Sequence, residues 1–376
     1  LIYLDNAATT PLSTVALDAL MQTSQEIFGN PSSIHAFGRA ANKVLREARY
    51  SIANSLKTKP DNIIFTSGGS EADTLAIQGY TLANQDRGKH LITTAIEHHA
   101  VLHVMDYLEK RFGFEVTYIN PIDQEITAQQ IADALRPDTI LVSTMFANNE
   151  TGMILPIKEI GQVLADHQAV FHVDAVQAIG KIPIYPEELG IDFLSASAHK
   201  FHGPKGQGFL YSRIPNFDSL IHGGKQESHH RAGTENLAGI TAMAAALNEQ
   251  LQHQEEFYET VRQLKSYLLD GLDNLDFFVN ESANTLPYVL NMGFPGQLNE
   301  QLLMRLDLAG IAVSSGSACT AGVIEKSHVL TALYGPDSHR LTESLRFSFS
   351  EQNTKKELDI VIQTLKEMIG GQDNGI

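Results

Sequence analysis

The chain has a single cysteine, Cys319, no tryptophan, and fewer basic than acidic residues in its 376 positions. One thiol closes no disulfide within the chain and builds no Cys-rich zinc or iron–sulfur site. Lys and Arg number 27 against 44 Asp and Glu, and the resulting formal charge of −17 opposes sustained binding to a phosphate backbone. No direct nucleic-acid partner is therefore expected. No window approaches the roughly 20 apolar residues that span a bilayer. Leu1 to Asn6 also lack the basic-then-apolar order of a secretion signal, so no membrane association and a cytoplasmic location are expected. What the chain does have is 43% hydrophobic and 19% charged residues, the composition of a globular protein with a large core.

Apolar runs of strand length alternate with helical patterns, the signature of an α/β sheet. The strand candidates are Asn62 to Thr66, Leu91 to Thr94, Phe114 to Ile119, Ile140 to Met145, Val170 to Val173, Phe193 to Ser195 and Gly208 to Tyr211. Crossover-length helical patterns lie at Phe37 to Leu56, Glu71 to Ala83, Val101 to Arg111, Ala128 to Leu135 and Ile157 to Ala165. From Asn236 to about Leu275 the pattern is helical. Short strands then follow at Tyr288 to Met292 and Ser344 to Phe349, with a last helix near Lys355 to Ile369 and a tail from Gly370 expected to fray. The expectation is a large α/β domain, residues 12–254, with one mainly parallel seven-stranded sheet. Residues 1–11 and 255–376 are expected to form a smaller α+β domain carrying the Cys319 loop.

Three segments point to chemistry. Lys200 ends an apolar strand among small and hydroxylic residues, before a glycine-rich turn; partial desolvation there lowers an amine's pKa and frees it to form a Schiff base. A surface loop lysine is the alternative. Asp174 also closes an apolar strand, where an unpaired acid is costly and a pyridinium nitrogen would supply the missing cation, with Gln177 in reach of a ring oxygen. Equally, Asp174 can cap a helix starting at Ala175. In Ile64-Phe-Thr-Ser-Gly-Gly-Ser70, a strand, a glycine turn and a helix start aim N–H groups at an anion, without the Gly-Lys-Ser/Thr ending of a Walker loop. Amine, ring partner and phosphate cradle are together what pyridoxal phosphate (PLP) requires.

These residues carry a resemblance. Tyr3-Leu-Asp-Asn-Ala-Ala-Thr-Thr-Pro11, Gly29-Asn-Pro-Ser-Ser33, Phe65-Thr-Ser-Gly-Gly-Ser-Glu-Ala72, Glu97-His98, Asn148-Asn-Glu-Thr-Gly152, His172-Val-Asp-Ala175, His199-Lys200, Arg231-Ala-Gly-Thr-Glu-Asn236 and Ser314-Ser-Gly-Ser-Ala-Cys-Thr320 occur in this order. Nearly end to end, they resemble group I cysteine desulfurases, the NifS/IscS-like branch of the class-V aminotransferase family. The Ser-Ser-Gly-Ser-Ala-Cys-Thr run sets that group apart from the other desulfurase group and from simple transaminases.

The resemblance implies a fold-type-I PLP enzyme and roles position by position. Lys200 would hold PLP, Asp174 would pair with its pyridine nitrogen, Gln177 would bond its ring oxygen and His98 would stack on its face. Gly69, Ser70, Ser197 and His199 would hold the phosphate, joined by Thr234 from the partner subunit of a homodimer. Asn149 and Arg346 would bind the substrate near its carboxylate, Arg346 by a bidentate fork. The implied reaction converts L-cysteine to L-alanine, Lys200 taking the Cα proton and thiolate Cys319 attacking the substrate sulfur to become a persulfide. His98 is the candidate acid/base, as an unperturbed histidine titrates near neutrality. The persulfide would pass to a sulfur-acceptor protein, a cluster scaffold or a tRNA thiolase.

Other readings stand beside these. Cys319 can be inert core filler, although Ser314 to Gly322 holds almost nothing to bury and the loop is expected to expose the thiol. Arg346 lies in a strand-like alternation whose polar face can simply be solvated. His99 and His103 are four apart, but no acidic third ligand has a recognisable spacing, and no metal site is expected. A PLP lyase acting on selenocysteine or cysteine sulfinate would not need the thiol, and a sulfur-carrier scaffold would need no PLP catalysis. Two positions depart from the family pattern of Gly-Gly-Gly, Gln or His, then Glu-Arg: Lys225 stands for a glycine and Ser228 for the arginine, while Thr234 stays.

Overall fold

The computed structural model describes residues 1–316 and 326–370, together with the backbone of 319–320 and 323–324. The tail expected to fray lies, past Gly370, outside the described residues. The chain opens with β1 (Ile2–Tyr3), α1 (Thr14–Glu26) and α2 (Ala36–Ser55). Alternation follows: β2 (Ile63–Thr66), α3 (Gly69–Ala83), β3 (His90–Thr94), α4 (His99–Phe112), β4 (Glu115–Ile119), α5 (Ala128–Ala134), β5 (Thr139–Met145), α6 (Ile157–Leu164), β6 (Val170–Asp174), β7 (Phe193–Ser197) and β8 (Gly208–Ser212). All seven strands expected from the sequence, β2 to β8, form one sheet in the order β2-β8-β7-β6-β5-β3-β4. Only β8 runs against its neighbours, β7 and β2.

Burial on both faces explains the continuous apolar runs, as in β5, where all seven residues are buried. Successive side chains alternate between two cores. Ile63, Phe65, Ile92, Val142, Leu194, Ala196 and Phe209 pack with α2, α6 and α7 (Leu237–Gln252); Ile64, Leu91, Leu141, Phe193 and Leu210 pack with α3 and α4. Helix ends follow local chemistry: Gly113, left-handed at φ 66°, stops α4, and a Thr127–Gln130 capping box starts α5.

The remaining elements are α8 (Gln254–Gly271), β9 (Phe278–Val279), β10 (Val289–Gly293), α9 (Asn299–Leu308), β11 (Ile311–Ala312), the paired β12 (Cys319–Thr320) and β13 (Val323–Ile324), α10 (His328–Tyr334), α11 (Arg340–Glu343), β14 (Ser344–Ser348) and α12 (Lys355–Gly370). Val329 of α10 packs into the first core, while α8, β10, α9, β14 and α12 build a separate apolar cluster. Ile2 and Leu4 of the N-terminal arm belong to this cluster, with Val261, Leu268, Leu290, Phe347 and Val361, and β1 pairs with β11.

The loop with the two family departures crosses the outer edge of the sheet. Glu227 is buried there, forms a two-fold ion pair with Arg49 at 2.6 and 2.7 Å, and accepts the N–H of Phe65 on edge strand β2 at 2.8 Å. Arg49 also donates to the Ile63 carbonyl. Three consecutive non-glycine residues, Glu227, Ser228 and His229, take positive φ of 46°, 55° and 72°, and Glu227's anchors hold that strain. Ser228 and Lys225 are exposed, and nothing in the structure explains the lysine. Removing one partner of a buried pair strands the other charge, so Glu227→Gln is expected to cost about 3 kcal/mol in urea unfolding. A loss under about 1 kcal/mol would mean the pair behaves as an exposed one.

Candidate active site

The carboxyl ends of β2, β5, β6 and β7 open on one cavity of 370 Å³, the place where parallel α/β sheets bind ligands. Gly69, Ser70, His98, Asn149, Asp174, Gln177, Ser197, His199, Lys200 and Arg346 all line it. Thr234 is exposed and does not, and the Cys319 side chain lies outside the described residues. Ser314 and Gly316, the last described residues before the Cys319 strand, are part of the cavity wall.

Lys200 sits in the turn after β7. Its Nζ donates to the carbonyls of Ala7 at 2.6 Å and Ala8 at 2.8 Å, so the N-terminal arm holds the amine over the sheet end. Burial, reinforced by the nearby Arg346 charge, lowers its pKa to about 8. Asp174 ends β6, accepts the Val176 N–H at 2.9 Å through Oδ1, and has no cation in ion-pair contact among the described residues. Burial, and then the neighbouring Asp73 carboxyl, raises it to about 7. Behind it Asp73 is raised to about 7 by burial, and one of its oxygens has no hydrogen-bond partner among the described residues. His172 Nε2 lies 3.5 Å from that Asp73 oxygen, and the ring is held between Ser143 at 2.8 Å and Ser195 at 3.0 Å.

Gly68 precedes α3 at φ 151°, and a Cβ on Gly69 would meet Val176 Cγ2 at 2.7 Å, so only glycine leaves the helix N–H groups open here. Ser70, Ser197 and His199 line the same cavity, and Ser197 Oγ lies 3.5 Å from where a Cβ on Gly68 would sit. His98 caps α4 by accepting the Ala100 N–H on Nδ1 at 3.1 Å, which leaves Nε2 as its protonated edge. Titration near neutrality is not what this ring shows: the protein around it, with the charges of Lys200 and the nearby histidines, lowers it to about 4. His99 stacks on His103, ring centres 5.0 Å apart, and lies 4.8 Å from His328.

The solvated face considered for the strand around Arg346 does not exist, because every residue of β14 is buried. Arg346 donates to Asp5 Oδ1 at 2.8 Å and the Asn149 carbonyl at 2.9 Å, while its Nε has no hydrogen-bond partner among the described residues. Its backbone pairs with Ser314 in both directions, tying the guanidinium to the strand side of the Cys319 loop.

These residues fit PLP on three counts. A buried carboxyl lacks a cation among the described residues, a helix start is kept open by glycine, and a half-buried amine of lowered pKa lines the same cavity. Asp73 was not singled out from the sequence. The signal was its place on the buried stripe of α3 with Gly69, Ala72, Ala76 and Tyr80, where it is the sole acid.

The sequence profile described as "Aminotransferase class-V" matches residues 2–361. The chain is 48% identical over 374 residues to the "Putative cysteine desulfurase IscS 1" of Bacillus subtilis, covering 98% of both chains. It is 44% identical to the "Cysteine desulfurase IscS" of Dictyoglomus turgidum, covering 98% of this chain and 94% of the other. Among solved structures, a "NIFS-LIKE PROTEIN" superposes with a TM-score of 0.92 at 35% identity, over 98% of this chain and 99% of the other. The structure described as "SspA in complex with cysteine" gives 0.84 at 34% identity, over 94% of this chain and all of the other. The chain is a member of the class-V aminotransferase family.

Proposed function

We propose that the protein is a PLP-dependent cysteine desulfurase that moves the sulfur of L-cysteine onto Cys319 and releases L-alanine. The observation that carries this reading is the convergence of Lys200, Asp174, the glycine-opened start of α3 and Arg346 on one cavity. Lys200 would hold the cofactor, Asp174 its ring nitrogen, Gln177 its ring oxygen, His98 its face, and Gly69, Ser70, Ser197 and His199 its phosphate. Bound there, PLP supplies an electron sink that acidifies the substrate Cα–H and weakens the bond to sulfur.

The chain's own groups do the rest. Arg346, aimed by Asp5 and the Asn149 carbonyl, grips the substrate carboxylate, with the Asn149 side chain beside it. The Lys200 amine, lowered to about 8, takes the Cα proton near neutral pH, while the neutral His98 ring presents its Nε2–H to the site as a hydrogen-bond donor. Cys319 thiolate then forms an S–S bond with the substrate sulfur as the C–S bond breaks. The bonding pair stays with the three-carbon fragment, which takes protons and leaves as L-alanine.

Several finer points belong to the same proposal. The chain works as a homodimer in the cytoplasm, hands its persulfide to a separate acceptor protein, and divides into domains at residues 12–254 and 1–11 with 255–376. Support for the dimer is the exposed apolar set Val15, Leu17, Met21, Phe28, Ile34 and Phe37 on and beside α1 and α2, and the exposure of Thr234. Size-exclusion chromatography with light scattering gives the dimer mass if this holds. The activity itself is tested by adding PLP and L-cysteine: a near-visible absorption band and stoichiometric alanine are expected. A band without alanine, with turnover of selenocysteine alone, would instead favour the lyase.

One pH effect follows. Asp73 and Asp174 are each raised to about 7, so the folded protein binds their protons more tightly than the unfolded chain. Their contribution to stability is full below about pH 4 and declines as pH rises through about 7. In thermal unfolding of the PLP-free protein, Asp73→Asn is expected to flatten that decline. Equal slopes in both proteins would show that Asp73 ionises as freely when folded as when unfolded.

A further inference from the structure

Gln177 and Lys200 meet at one oxygen. Gln177 Nε2 donates to the Ala7 carbonyl at 3.0 Å and Lys200 Nζ donates to the same atom at 2.6 Å. A carboxamide has one donating and one accepting end, so its use at a ring oxygen depends on which end faces the cavity. Lys181, one turn further along, settles that choice by donating from Nζ to Gln177 Oε1 at 3.3 Å.

Lys181 is only 6% exposed, and no carboxylate lies within ion-pair distance of it among the described residues. The charged groups facing it are Lys200, Arg346 and Glu351, the last paired with His202 at 3.2 Å; its ammonium end also lies 5.2 Å from the Tyr288 ring centre. Burial lowers its pKa to about 7, and amine and ammonium alike donate to an amide oxygen. Beside it is a cavity of 10 Å³, about one water in size, lined by Asn6, Lys181, Lys200, Tyr288 and Glu351 among others. Asn6 Oδ1, Tyr288 Oη and Glu351 Oε2 have no hydrogen-bond partner among the described residues. A buried lysine away from the reacting atoms, with three unpartnered oxygens around a water-sized space, is costly unless it has a task.

We propose that Lys181 is a positioning residue for the cofactor: it locks the Gln177 amide with Nε2 toward the PLP ring oxygen, and a single water held by Asn6, Tyr288 and Glu351 anchors its remaining N–H groups. The proposal rests on the PLP reading. With Lys181 in place the ring oxyanion always meets a donor; without it the amide can turn its own oxygen toward that anion.

The test titrates cofactor-free protein with PLP and follows the bound cofactor's absorption band against pH. Lys181→Met is expected to weaken PLP binding about tenfold and raise the band's midpoint by about one pH unit, the scale of one charge-assisted hydrogen bond. Lys181→Arg, which keeps a donor, is expected to restore most of both effects. On a Gln177→Ala background, Lys181→Met is expected to change neither, because the amide it orients is gone. Should the methionine variant not fold, Lys181→Gln takes its place in the same cycle. Equal shifts on both backgrounds would overturn the proposal, showing that Lys181 acts through its own charge. So would unchanged affinity and midpoint with only a lower melting temperature. A native protein that takes up no PLP would instead sink the cofactor reading itself.

Discussion

Lys200→Ala is expected to abolish the absorption band of the PLP-bound protein and to lower desulfuration by at least about 10⁴-fold, the upper range for a lost general base, since the covalent anchor goes with it. The structure gives the reason for so large an effect. Among the described residues lining the cavity, the other strong cation is Arg346, which is committed to Asp5 and the Asn149 carbonyl, and His98 is neutral near pH 7 because its pKa lies near 4. Among the described residues of the wall no second amine can take over at the substrate Cα. The carbonyls of Ala7 and Ala8 that hold Lys200 would lose a charged donor, so part of the loss is expected to appear as looser packing of the N-terminal arm. Alanine release by the variant within tenfold of the native rate would remove Lys200 from the chemistry.

Cys319→Ala is expected to behave in the opposite way. The band and PLP affinity stay, because every residue proposed to hold the cofactor is elsewhere, while sulfur release falls by on the order of 10⁴-fold, the scale of deleting a nucleophile that acts as a unit with its partners. The chain has one cysteine, so no other thiol can receive the sulfur or resolve a persulfide as an internal disulfide. On the proposed reading the sulfur therefore has to leave to another molecule. Cysteine sulfinate, whose sulfur departs without a thiol's attack, is the control: the variant is expected to process it at an undiminished rate. A variant that releases sulfide from L-cysteine at the native rate, with reductant present, would return Cys319 to the status of filler.

Much of this was legible because the decisive residues sit at strand ends. Lys200, Asp174 and the Gly68-Gly69 turn each follow an apolar run whose burial on both faces the composition announces, and strand ends of a parallel sheet share one side. The crossover helices were legible from the helical patterns that alternate with those strands. Helix α1 was not, because Val15, Leu17 and Met21 are exposed while Ala16 and Thr23 are buried, leaving no stripe to read. The long helical stretch after Asn236 divides at His253 without glycine or proline to mark the break. Burial of Arg346 and Lys181 was hidden too, since both depend on segments far apart in the chain, the N-terminal arm and β14, coming together over the sheet end. His98 reads as an ordinary histidine until its cavity neighbours, Lys200 among them, are placed around it.

The central claim is that sulfur passes through Cys319. The most direct test is a single-turnover reaction of the PLP-bound protein with L-cysteine and no reductant, followed by mass spectrometry of the Cys319 peptide. A gain of one sulfur atom on that peptide, formed together with one alanine per active site and removed by a thiol reductant, is the result the account predicts. Alanine formed in the same amount with the Cys319 peptide unmodified would contradict it.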